Sequence, residues 1–286
     1  MIPPAAIALA SAACFGAALI VVHYGLRYGG SYAGARVSLS TSFLLWWAIA
    51  PFQLDLSAWH WGAAAIFAVV GLFYPAAVTV LTNESNRLLG PTLTGTIGST
   101  APLFATALAV LVLGETLTPA IVIGGSMIVA ALVLMSWRGS PQASGGWKLM
   151  LPIGGAMLRG LAQTLSKLGL NLWPTPFSAA LINYTVSGVA IWGVTLARPA
   201  APGEYRLRAG GAKWFMAAGT LNAVAVLLLY QALHTGRVSV VAPLVALYPL
   251  FTLLYSALFL KSEALTRRIV IGALCAVAGV VVLVRG

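Results

Sequence analysis

Ten apolar runs follow one another through the chain, separated by short polar breaks. Each is long enough to cross a hydrocarbon core of roughly 30 Å. Reading these runs between Gly, Pro and charged punctuation predicts helices over 4–24, 31–52, 61–82, 91–113, 119–137, 147–170, 176–197, 213–234, 238–260 and 267–285. The composition agrees with membrane insertion: of 286 residues 60% are hydrophobic and 7% charged, where a soluble domain carries charge at about a quarter of its positions. Too few polar groups remain to cover a water-facing surface, so an all-α integral membrane protein is expected. The first run contains Ala8, Leu9 and Ala10, which resemble a leader cleavage site, but no basic residue precedes it and the run is too long. A retained helix is expected there.

The formal charge of +11 arises from 16 Lys and Arg against 5 Asp and Glu. These cations sit at the ends of the apolar runs, where anionic headgroups and the positive-inside rule account for them. No basic stripe with interleaved aromatics occurs, so the expected partner is the lipid bilayer and not a nucleic acid. Counted from an N-terminal helix, the odd-numbered connections hold Arg27, Arg87, Arg138, Lys148, Arg198, Arg206, Arg208, Lys213, Lys261, Arg267 and Arg268, against mainly Arg237 and Arg285 on the other side. That bias predicts cytoplasmic odd connections and both termini outside, in the plasma (inner) membrane. Trp59, Trp61, Trp137, Trp147, Trp173 and Trp214 fall where an aromatic belt would meet the interface.

The sequence also repeats itself. ETLTPAIVIG at 115–124 aligns with EALTRRIVIG at 263–272, agreeing at seven of ten positions with an offset of 148. Pro102, Leu103 and Phe104 match Pro249, Leu250 and Phe251 at 147, while Gly16, Gly25 and Leu26 match Gly160, Gly169 and Leu170 at 144. Two halves are therefore expected, 1–137 and 147–286, joined by the small polar linker 138–146. With five helices each, an odd number, the second half must enter the membrane in the opposite sense. Ten transmembrane helices as two inverted five-helix repeats is the architecture that many secondary transporters use for alternating access.

Pro102…Leu113-Gly114-Glu115-x-Leu117…Gly124, its copy Pro249…Leu260-Lys261-Ser262-Glu263-x-Leu265…Gly272, and Tyr230-x-Ala232-Leu233, Arg36 and Lys167 carry a family likeness. Together they resemble the EamA-type transporters of the drug/metabolite transporter superfamily. The resemblance covers essentially the whole chain and implies ten helices in two five-helix repeats. It further implies transport of amino acids, sugars, drugs, nucleotide precursors or other metabolites, with termini usually assigned to the cytoplasm. The sequence departs from the pattern at His23, where the first repeat usually has lysine, and at Lys261-Ser262, which replace a glycine. The related small multidrug resistance proteins carry a proton-coupling glutamate in their first helix; this first helix has no carboxylate.

A charge inside a membrane span costs at least a few kcal/mol and demands a reason. Arg159, Gln163 and Lys167 follow one another at i, i+4 and i+8, on one face of the predicted sixth helix. That stripe either lines a cavity, where Arg159 offers a carboxylate or phosphate a bidentate fork, or its cations snorkel towards an interface or pair with helix carbonyls. His23, 144 residues before Lys167, is its counterpart in the first half. Tyr74, Ser99, Asn222, Tyr230 and Tyr248, with Thr92, Thr96 and Thr100, supply further polar or aromatic groups for a small-molecule substrate; hydroxyls also bond back to their own helices. Glu115 and Glu263, just before Thr118-Pro119 and Thr266, are expected to cap or pair at the interface, and Glu84 to pair with Arg87. No enzyme motif, metal-ligand spacing or cofactor loop occurs. The expected function is secondary transport of a small polar or amphiphilic metabolite, an amino acid or other organic anion favoured, with a coupling ion or proton left open. A channel, sensor or assembly component on the same scaffold is the alternative.

Overall fold

The computed structural model describes residues 2–54, 59–78, 81–82, 85, 88–89, 94, 97–136, 146–197, 207–260 and 267–285. Glu84 and Arg87, Thr92 and Thr96, the linker residues 138–145, Glu263 and Thr266 lie outside them. The helices are α1 (Pro4–Gly25), α2 (Ser31–Gln53), α3 (Trp61–Phe73), α4 (Ala101–Leu113), α5 (Pro119–Ser136), α6 (Met150–Leu172), α7 (Pro176–Ala197), α8 (Gly211–Thr235), α9 (Val238–Val245), α10 (Tyr248–Tyr255) and α11 (Arg267–Arg285). No strand occurs among the described residues.

Among the described residues five stretches are long and apolar enough to cross a membrane: Pro4–Gly25, Trp61–Val78, Gly211–Thr235, Val238–Leu258 and Arg267–Arg285. The helices α2, α6 and α7 are of similar length, at 22 to 23 residues, and carry more polar side chains. Proline explains the interruptions that hydropathy smoothed over. Tyr74, held extended by Pro75, ends α3, and turns at Ser99–Thr100 and Ala246–Leu247 precede Pro102 and Pro249. The last two breaks fall at equivalent places of the two halves.

Connections between the helices meet one another at two ends of the molecule. At one end, where Arg27, Lys148, Arg208, Lys213 and Arg267 lie, Gly29 pairs with Leu207 and Arg208 N donates to Tyr28 O at 2.7 Å. These contacts join the α1–α2 connection to the residues before α8. At the opposite end the Trp59 and Trp173 rings lie 5.0 Å apart, tying the α2–α3 and α6–α7 connections together. Trp173 does not belong to an interfacial belt as expected. It is 3% exposed, packed also on Phe67, because the helices around it converge over it. Trp61 and Trp147, at 79% and 68% exposure, do face outward.

Equivalent residues make exchanged contacts across the molecule. Gly16 on α1 lies against Phe251 on α10, and Gly160 on α6 against Phe104 on α4. Gly25 abuts the Phe215 ring of α8, and Gly169 the Phe67 ring of α3. The Ser42 hydroxyl of α2 donates to Gly219 O on α8 at 2.8 Å, and that of Ser187 on α7 to Gly71 O on α3 at 2.9 Å. On α5 and α11, Gly124 meets Gly279 and Leu283 while Gly272 meets Ala131 and Met135. Lipid offers no hydrophobic drive between helices, so such backbone-close glycine seams and interhelical hydrogen bonds supply the association.

Thr118 Oγ1 accepts from Ile121 N at 3.3 Å and is the N-cap of α5 that its position predicts. Glu115 caps a different helix. Its carboxylate accepts from Val238 N at 2.7 Å, Ser239 N at 3.0 Å and Ser239 Oγ at 2.6 Å, with Arg237 Nε 4.0 Å away. The first-turn amides of α9 lack intrahelical acceptors and carry partial positive charge, so a carboxylate from the α4–α5 connection fits them.

Candidate functional site

The proline breaks point inward. Pro75, Pro102 and Pro249 all line a single cavity of about 490 Å³. Irregular backbone at membrane depth is tolerated where it borders such a space. The turns before α4 and α10 contribute Gly98 and Ser99, and Val245 and Ala246. Its apolar wall comes largely from Phe15, Leu19, Val22 and Leu39 on α1 and α2. Lining residues continue to Leu26 and Gly34 at the basic end, so the space reaches that end of the molecule. On the side away from the basic end Tyr184 lines it, its ring 6.3 Å from Trp46, itself packed on Phe177 at 5.4 Å.

Arg159 is the only charged side chain among the described lining residues. Its Nη2 donates to Thr82 Oγ1 at 3.1 Å, and Thr82 in turn donates to Val78 O at 2.8 Å. Gly98 faces the guanidinium, whose Nη1 is 3.4 Å from where a Cβ would stand. No carboxylate pairs with Arg159 among the described residues. A five-donor fork with one hydroxyl partner, in a cavity, is equipped for a planar anion.

Of the residues singled out from the sequence, Arg159, Gln163, Tyr74, Ser99, Asn222 and Tyr248 line this cavity together. Lys167, His23 and Tyr230 do not. Lys167 Nζ donates to His234 O at 3.2 Å, where a cation complements the carbonyl end of α8. His23 is exposed beside Tyr24, and Tyr230 is buried in the core at 2% exposure. The residue missed is Asn183, 1% exposed on α7, whose Nδ2 donates to Tyr74 O at 3.2 Å. The available signal was an amide side chain in the middle of a predicted span. Ser38 and Ser42 also line the cavity, but their hydroxyls are spent on Phe215 O at 2.8 Å and Gly219 O at 2.8 Å.

The sequence profile of the EamA-like transporter family matches residues 3–137 and again 146–285. The chain belongs to this family. It is an EamA-type membrane transporter of the drug/metabolite transporter superfamily, and the cavity is the feature of its fold suited to a transported solute. No curated protein matches it. Among solved structures, 29 chains match. One, a crystal structure titled only as that of a protein, superposes with a TM-score of 0.80 at 14% identity, covering 98% of this chain and 95% of that one. At that identity the likeness speaks for the fold of the EamA-type chain alone.

Proposed function

We propose that this protein is a secondary transporter of a small organic anion, an amino acid being the favoured case, across the cytoplasmic membrane. The observation that carries the reading is the Arg159 guanidinium, unpaired by any described carboxylate, in a cavity otherwise lined by uncharged groups. Gln163, Tyr74, Ser99, Asn222 and Tyr248 complete the binding surface, offering hydrogen bonds and aromatic faces around an anion held by Arg159.

The working cycle follows from an inverted repeat of two five-helix halves, 1–137 and 147–286, joined by 138–146. The double family match and the exchanged glycine contacts support it. The lining that continues to the basic end supports an opening there, and the packed rings of Trp46, Phe177 and Tyr184 support a barrier at the other end. Exchanging the conformations of the halves closes the first end and opens the second, with Arg159 accessible in turn from each. Counterflow in proteoliposomes tests the carrier reading: preloading with unlabelled leucine is expected to accelerate uptake of labelled leucine several-fold. Uptake indifferent to preloading marks a pore, and no uptake of any carboxylate or amino acid removes the proposal.

The positive-inside rule supports a cytoplasmic basic end and, with it, both termini outside. In a background with Cys14 and Cys275 replaced by alanine, a cysteine at exposed position 209 is expected to react with an impermeant maleimide only after permeabilisation. A cysteine at 117, in the α4–α5 connection, reacts in intact cells. The opposite pattern reverses the orientation and leaves the site unchanged.

A further inference from the structure

Asn183 and Ser38 hold equivalent places in the two halves. Ser38 backs onto Gly219 of α8 as Asn183 backs onto Gly71 of α3. Each side chain also reaches a backbone carbonyl of the facing segment: the Ser38 hydroxyl donates to Phe215 O at 2.8 Å and Asn183 Nδ2 to Tyr74 O at 3.2 Å. This lock consumes one donor, and a serine has one to give. Asn183 brings an additional group. Its Oδ1 has no hydrogen-bond partner among the described residues, although the residue is 1% exposed and lines the cavity. Turning the amide over would set Oδ1 against the Tyr74 carbonyl and lose the bond, so the oxygen's place is determined by the network.

Gln163 Oε1, one helical turn from Arg159 on α6, is also buried without a partner and belongs to the same lining. The cavity lining therefore holds a cationic fork together with two buried amide oxygens that can only accept and have no partner among the described residues. A solute that supplies a donor to either one satisfies a group that is otherwise buried unpaired, and binds more tightly for it.

We infer that Asn183 is a specificity-determining residue: its Oδ1 accepts from an ammonium or hydroxyl group on the transported anion while Arg159 holds the carboxylate. Amino and hydroxy acids are then taken in preference to plain carboxylates of the same skeleton. The inference rests on the anion reading of the cavity given above. It requires no acidic group for the ammonium, since two neutral acceptors suffice for a donor that arrives with its own counter-charge.

Three probes share one branched chain suited to the wall of Leu19, Val22 and Leu39: leucine, 2-hydroxy-4-methylpentanoate and 4-methylpentanoate. Titration calorimetry on the purified full chain in detergent is expected to find the first two bound at least about tenfold more tightly than the third. Asn183→Ser installs the residue type that stands at the equivalent Ser38 and removes the spare amide oxygen. It is expected to weaken leucine and the hydroxy acid to within about threefold of 4-methylpentanoate, whose own affinity stays the same. Arg159→Gln weakens all three alike, which reports on the anion reading separately. Equal affinities for the three in the wild-type protein, or a tenfold preference that survives in Asn183→Ser, overturn the role of Asn183 and leave the carboxylate site standing. Failure of all three to bind the wild-type protein overturns both.

Discussion

Arg159→Gln is expected to lower carboxylate affinity by at least about 100-fold while leaving thermal stability in detergent unchanged or raised. A bidentate Arg–carboxylate pair makes two charge-assisted hydrogen bonds, each worth roughly 1.5–3 kcal/mol, and losing about 3 kcal/mol in all corresponds to more than two decades in Kd. The protein's own stake in the guanidinium is small. Among the described residues it makes one hydrogen bond, to Thr82 Oγ1, and faces the empty side of Gly98. Against that stands the cost of holding a charge within a membrane span, a few kcal/mol that the neutral glutamine does not incur. Arg159→Lys keeps the charge without the planar fork and should recover only part of the loss. Calorimetric titration with leucine beside a melting curve separates the two roles. Unchanged affinity in folded Arg159→Gln removes the site, and a collapse in melting temperature with affinity intact makes the Thr82 bond the residue's purpose.

The contrast between Arg159 and Lys167 shows how far a sequence can be taken. Spacing of i, i+4 and i+8 places Arg159, Gln163 and Lys167 on one face of α6, and the first two do meet the cavity. Periodicity fixes the direction around the helix and says nothing of depth. Eight residues advance the axis by about 12 Å, which carries Lys167 past the cavity to the carbonyl end of α8. Hydropathy located the long apolar helices because they coincide with the apolar runs. It passed over the turns before Pro102 and Pro249, since Ala246 and Leu247 are apolar and Ser99 and Thr100 are too short a polar break to end a run. Glu115 was legible as a cap but not as the cap of α9, whose first amides lie 123 residues away along the chain. Trp173 and Asn183 were illegible for a related reason. Whether an indole is interfacial or buried, and whether an amide oxygen finds a partner, depends on what other helices bring alongside.

The glycine seams lead to the second large effect, on folding. Replacing Gly219 with alanine places a Cβ 2.4 Å from Ser38 O and 3.0 Å from Ser38 C and Cα; replacing Gly71 places one 2.7 Å from Asn183 O and 2.8 Å from Val186 Cβ. The obstructing atoms are backbone or Cβ in both cases and cannot swing aside, so the paired helices must separate. That also stretches the bonds that Ser42 and Ser187 donate to Gly219 O and Gly71 O, now 2.8 and 2.9 Å. Overpacking of this kind costs about 1–3 kcal/mol, and the strained interhelical bond adds to it. Each variant is therefore expected to melt well below the wild type in detergent, by comparable amounts, because the two contacts are the same contact made once by each half. Gly193, with no neighbour within 4 Å, is the control: alanine there meets open space and should be neutral or slightly stabilising through helix propensity. A large loss at Gly219 with none at Gly71 would break the equivalence on which the inverted-repeat reading depends. Equal losses, together with an unaffected Gly193→Ala protein, tie the stability of the fold to the reciprocal seams and not to glycine content.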